Sequence, residues 1–188
     1  MKPLLINVIG FYAAWFACVL GAAYDYYLIG PLAVFVVMLV HLTLHGSPKP
    51  ELMLAGLCFA AGFVVDSALV ATGIMTLKPD FMPQGVTTFW MMCMWVNFGL
   101  TLNVSLKILR RHRWIAVFLG LTGGPAAYYT GQQLGALTLP DPLWMPLAVI
   151  GLAWGAATPF LVWAAQWLQS RFRNDPMPSA FPLEGGAR

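Results

Sequence analysis

Charge is scarce in this sequence. Only 9% of its 188 residues are Asp, Glu, Lys or Arg, against roughly 25% in an average soluble domain, so a water-facing surface could not be covered with ionised side chains. Cysteine is equally sparse. Cys18, Cys58 and Cys93 each fall within an apolar run and have no CxxC spacing, which reads as buried thiols and excludes a disulfide framework or a zinc site. There is no G-x-S-x-G elbow, H-E-x-x-H pair, P-loop or dinucleotide fingerprint. Hydrolase and nucleotide-dependent chemistry therefore have no positive support, and no cofactor is expected. The net charge of +3 is spread thinly over short connections, leaving no basic face on which a nucleic-acid backbone could lie.

What the chain does contain is hydrophobic length. Hydrophobic residues make up 60% of it and the mean hydropathy is +0.74. The runs are unbroken, unlike the alternating strands of an outer-membrane barrel. The fold class is therefore all-α, a polytopic membrane bundle. A span needs roughly 20 apolar residues, and six runs fit: 4–24, 27–45, 52–74, 86–106, 114–136 and 143–168. Pro, Gly and charged residues punctuate the connections. Threading six spans puts Lys2, Lys49, Lys107, Arg110, Arg111, Arg113, Arg171, Arg173 and Arg188 on one side and only Lys78 on the other. By the positive-inside rule both termini are cytoplasmic. The domain is expected to occupy residues 1–170, with a disordered cytoplasmic tail over 171–188. The first run resembles a signal peptide, but its length, Asn7 and Trp15 argue that it is retained.

Asp66 is the only acidic side chain well inside a span. An ionised carboxylate there costs several kcal/mol unless it finds partners, water or a proton. Ala55, Gly62 and Gly73 share its helix face, so it should meet another helix rather than lipid. Counting about 1.5 Å per residue places Asp66 about 21 Å above the cytoplasmic end of its span, and Tyr128 and Tyr129 about 22 Å up theirs. Trp90, Cys93 and Asn97 fall in the same layer. Cys93, Asn97, Thr101 and Ser105 recur every four residues, either as interhelical glue or as one wall of a polar cavity.

The run Gly120-Leu-Thr-Gly-Gly-Pro-Ala-Ala-Tyr-Tyr-Thr-Gly-Gln-Gln133 sets helix-breakers inside an apolar stretch. Pro125 removes a backbone donor, so a kink or a short unwound segment is expected, facing protein or water. Candidate ligand-binding residues are accordingly Asp66, Trp90, Trp95, Asn97, Tyr128, Tyr129 and Gln132. His41 and His45 stand four apart and could offer two imidazoles to a metal, with Glu51 as a speculative third donor. Two ligands do not make a site, and no metal is expected. Ala13, Ala17 and Gly21 form a small-residue ridge suited to helix association.

Asn7, Trp15, Asp66, Gly73, Trp90 with Trp95, and Gly124-Pro125-x-x-Tyr128-x-x-Gly131 together resemble an uncharacterised bacterial inner-membrane family, domain of unknown function 2878, over residues from about 5 to 168. The resemblance implies a Gram-negative inner-membrane protein, often encoded beside cyclopropane-fatty-acid-synthase-like and other lipid-related genes. It implies no activity. Three functions compete. The first is binding or translocation of a small or lipid-like molecule in a polar cavity of the outer half of the membrane, linked to membrane-lipid modification. The second is a lipid-modifying enzyme with Asp66 as acid or base, opposed by the lack of a second titratable partner. The third is a scaffold that docks membrane or cytoplasmic lipid enzymes through the small-residue ridge and the basic loop. Membrane lipids are expected partners in all three.

Overall fold

The six apolar runs fold as six α-helices. The computed structural model describes residues 2–44 and 48–172, with helices α1 (Lys2–Ala23), α2 (Ile29–Leu44), α3 (Pro48–Ala71), α4 (Phe89–Leu102), α5 (Arg113–Gln133) and α6 (Trp144–Phe172). His45 of the expected imidazole pair, and the tail beyond Phe172, lie outside the described residues. Three helices are long and apolar enough to cross a membrane by length and composition: α1 from Pro3, α3 and α6, with hydropathies of 2.0, 2.0 and 1.7. Helices α2 and α4 are apolar but span only 16 and 14 residues, or about 24 and 21 Å. Glycine, threonine and glutamine dilute α5.

The fourth helix is shorter than the apolar run that contains it, for reasons visible at both ends. Its first backbone amide, on Phe89, donates to Asp80 Oδ2 at 2.8 Å, while the other oxygen accepts from Met82 N at 2.8 Å. Thr88, the formal cap, makes no capping bond. Asp80 thus supplies the anion that a helix N-terminus favours. At the far end Val104 N and Leu106 N both turn back to Thr101 O, and the chain continues as a 3-10 turn over Lys107–Arg110.

The α1–α2, α3–α4 and α5–α6 connections gather at one end. There strands β1 (Thr76–Leu77) and β2 (Leu137–Thr138) pair antiparallel, Thr76 opposite Thr138 and Leu77 opposite Leu137. Lys78, the lone cation of this ribbon end, donates to the Ala23 carbonyl at 2.5 Å and sits 3.3 Å from the Asp25 carboxylate. A cation on the last carbonyls of α1 complements its dipole. Tyr27 OH also donates to Asp25, at 2.9 Å. That hydrogen bond, and then Lys78, hold the Asp25 carboxyl below its usual range.

The opposite, basic end is tied by a buried carboxylate. Glu51, 3% exposed in the first turn of α3, accepts at Oε1 from Asn103 Nδ2 and Gln169 Nε2, each at 2.8 Å. Its Oε2 meets His41 Nε2 at 3.1 Å. Four helix ends therefore meet on one side chain, and consecutive helices run antiparallel between the two ends.

Glycines set the closest helix approach. A Cβ on Gly120 would fall 2.2 Å from the Trp154 carbonyl oxygen, one on Gly124 2.5 Å from Trp154 Cγ, and one on Gly155 2.8 Å from Leu121 Cδ2. Gly120 and Gly124 on α5 thus interlock with Gly151 and Gly155 on α6, as small-xxx-small ridges do in membrane helices. This packing explains why an apolar stretch accepts the glycines. No unwound segment accompanies them: α5 is helical at every residue from Arg113 to Gln133, Pro125 included. Pro125 Cγ lies 3.2 Å from the Cβ position of Gly151, so the proline ring fills space that the partner helix leaves open.

Candidate functional site

Asp66 is fully buried, and both of its oxygens accept hydrogen bonds from other helices. Trp95 Nε1 on α4 donates to Oδ2 at 2.8 Å. Tyr128 OH on α5 donates to Oδ1 at 2.5 Å. An indole N–H can only donate, so Oδ2 is an acceptor in any protonation state. Helix α6 contributes Trp154, whose ring stacks on Trp95 at 4.2 Å between centroids with a 23° interplanar angle. Its edge relations to Phe98 and Tyr128 are T-shaped.

Local sequence makes this convergence possible. Gly62 lies one helical turn before Asp66, and a Cβ there would stand 2.5 Å from Trp95 Cδ1. Gly124 lies one turn before Tyr128 and receives Trp154 in the same way. Each polar residue is thus paired with an i−4 glycine that admits one of the two stacked indoles.

In front of this cluster lies a cavity of about 650 Å³, within the range of about 300–1,000 Å³ common to small-molecule sites. Phe11, Trp15 and Val19 of α1 form one bank, and Leu119, Gly123 and Ala127 of α5 the other. Trp90, Met94, Trp95 and Phe98 of α4 form the floor together with Trp154. Its lining is overwhelmingly apolar. The hydroxyl-bearing side chains along it are Tyr12, Thr101, Ser105, Tyr128, Thr130 and Thr158. Thr158 Oγ1 is buried and has no hydrogen-bond partner among the described residues.

The expected site residues therefore separate. Trp90, Trp95 and Tyr128 line the cavity, and Asp66 stands behind the wall, bonded to two of them. Asn97 is buried and donates to the Phe11 carbonyl at 3.0 Å, clipping α4 to α1. Tyr129 is 42% exposed. Gln132 accepts from Leu139 N at 2.6 Å and so ties the end of α5 to the exit from β2. Of the expected polar stripe, Ser105 lies beyond the end of α4 and bonds Asn7, which in turn donates to Leu100 O at 3.0 Å. Thr101 bonds back to Phe98 O on its own helix.

Sequence reasoning missed Trp154, although the flanking Gly151 and Gly155 mark a helix surface built for close approach. It also took Glu51 only as a speculative metal donor beside His41. The pair is real, but amides complete it, and no group of three His, Cys, Asp or Glu side chains suited to a metal occurs among the described residues. All three cysteines are free and buried.

These features define a class: an all-helical protein with membrane-type apolar helices and a buried carboxylate that aligns aromatic residues along an apolar cavity. Within that class the chain belongs to the family described as "Protein of unknown function (DUF2878)", whose model matches residues 4–160. The match takes in α1 through most of α6 and every residue of the Asp66 cluster. No curated protein and no solved structure matches the chain.

Proposed function

We propose that the chain crosses the membrane six times, with the basic end and both termini on the cytoplasmic side, and holds a lipid-like molecule by an acyl chain in the groove between α1 and α5. The antiparallel order of the helices and the collection of Lys107, Arg110, Arg111 and Arg113 at one end support the topology. The observation that carries the binding reading is the groove itself. From Trp90 to Thr101 its α4 floor runs twelve residues, a rise of about 16 Å, close to the depth of one leaflet of a hydrocarbon core about 30 Å thick. Flat indoles and flexible methionines suit a methylene chain, and the unpartnered Thr158 hydroxyl offers one polar contact along it.

Asp66 acts in this reading as a positioning residue. It touches no ligand, but it fixes the rotamers of Trp95 and Tyr128, which do. The groove is apolar, so the earlier expectation of a polar cavity gives way to a hydrophobic one with hydroxyls at intervals.

The test is native mass spectrometry of the purified protein, before and after Gly123→Phe. A Cβ at Gly123 meets only Leu119, at 3.6 Å, so the phenyl ring can enter the groove without a backbone clash. The unchanged protein is expected to retain one lipid and the variant to lose it while keeping its helical circular dichroism. Equal retention by both proteins would sink the reading.

A further inference from the structure

We infer that the occupant of the groove is an anionic phospholipid, its chain lying along α4 and its headgroup at the basic turn of residues 107–113. This rests on the groove reading above and adds a headgroup to it. The two ends of the groove differ. At the ribbon end its lining closes with Trp90 and Leu137; at the other it includes Ser105 and Leu106, and the next residue in the chain is Lys107.

From there Lys107, Arg110, Arg111 and Arg113 follow within seven residues that contain no acidic side chain. Lys107, Arg111 and Arg113 are exposed, and Trp114 beside them is 85% exposed, the placement of a tryptophan at headgroup level. The ribbon end offers no such charge. Its cation, Lys78, is held by Asp25 and the Ala23 carbonyl. A phosphate therefore finds complementary charge at one mouth of the groove.

The basic turn is also built rather than loose. Arg110 is drawn inward, its Nη2 donating to Asn103 Oδ1, while its own carbonyl accepts from Gln166 Nε2 at 3.1 Å. Asn103 in turn is bonded to Glu51, and Leu109 is buried beneath the turn, 2% exposed. Burial pushes the Arg110 guanidinium down and the Glu51 carboxylate opposes that shift. Arg110 is thus committed to structure, and it anchors the turn whose backbone carries Lys107, Arg111 and Arg113 next to the Leu106 end of the groove. Because each basic residue near a membrane surface favours anionic lipid, three such residues select net negative headgroups over zwitterionic ones.

The experiment exchanges the purified full-length protein through vesicles of equimolar phosphatidylglycerol and phosphatidylcholine with identical chains, then reads the retained lipid by native mass spectrometry. Phosphatidylglycerol is expected to exceed phosphatidylcholine by about 10-fold or more. Lys107→Gln with Arg111→Gln and Arg113→Gln should keep one bound lipid and bring the ratio near one, and Gly123→Phe should lose both lipids. No preference in the unchanged protein, or a preference that survives the triple change, overturns the headgroup assignment. Retention of lipid by Gly123→Phe overturns the groove reading itself, so the two failures are distinguishable.

Discussion

Replacing Tyr128 with phenylalanine isolates one hydrogen bond at the centre of the bundle. The ring and its T-shaped contact with Trp154 remain, and the change removes only the hydroxyl that reaches Asp66. Two limits bracket the cost. Neutral interhelical hydrogen bonds in membranes average about 0.6 kcal/mol, because the unfolded chain in lipid also finds partners. A hydrogen bond to a charged group contributes about 1.5–3 kcal/mol, and leaving a buried acceptor unpaired has a comparable cost. Asp66 is fully buried and, among the described residues, Trp95 remains as its only other donor, so the expected loss is about 2 kcal/mol, roughly 30-fold in the unfolding equilibrium. Reversible unfolding in mixed detergent micelles, or steric trapping in bicelles, measures it. A cycle with Asp66→Asn should show a coupling of about 1 kcal/mol or more, since the two side chains are in contact. A loss below about 0.5 kcal/mol, or additivity within that figure, refutes the view that Tyr128 and Trp95 together satisfy this carboxyl.

Two further predictions concern other parts of the fold. Gly120→Ala places its Cβ against the Trp154 backbone carbonyl and should cost about 3 kcal/mol by prising α5 from α6, whereas Gly56→Ala, with nothing within 4 Å of the new atom, should be neutral or gain up to about 1 kcal/mol; both are read by the same unfolding assay. At the ribbon end the Asp25 carboxyl should titrate below the ordinary value of about 3.9, and Tyr27→Phe should move its midpoint upward in a carbon-13 NMR titration. A carboxyl depressed in the folded state stabilises above its unfolded pKa and loses that contribution as pH falls through the folded value, so a midpoint unmoved by Tyr27→Phe would remove the hydroxyl as the main cause.

Much of the helical frame can be read from hydrophobic length, because apolar runs broken by Pro, Gly and charge leave little freedom in where helices lie. The identity of the central residue was equally legible: a lone acid among apolar neighbours has to find donors, and counting depth placed Tyr128 in its layer, although on the fourth span it pointed to Trp90, Cys93 and Asn97 rather than to Trp95. Direction around each helix was harder. Tyr128 and Tyr129 are adjacent, yet about 100° of helical rotation between neighbours sends one to Asp66 and the other to the surface. Depth gave no means to assign Asn97 to a backbone carbonyl of α1 or Gln132 to a turn amide, since both depend on which helices are neighbours. The glycines around Pro125 look like helix-breakers to local propensity; tertiary packing on the glycines of α6 overrides that propensity.

The Glu51 cluster also bears on how the protein is made. His41 is ten residues from Glu51, Asn103 is 52, and Gln169 is 118. At about 5–20 residues per second, the α2–α3 hairpin emerges several seconds before the last of these partners exists. During that interval the carboxylate has His41, and later Asn103, but its second amide donor is still missing. The completed set of hydrogen bonds therefore reports that the sixth helix has arrived, and a chain cut short before Gln169 would leave this carboxylate one donor short.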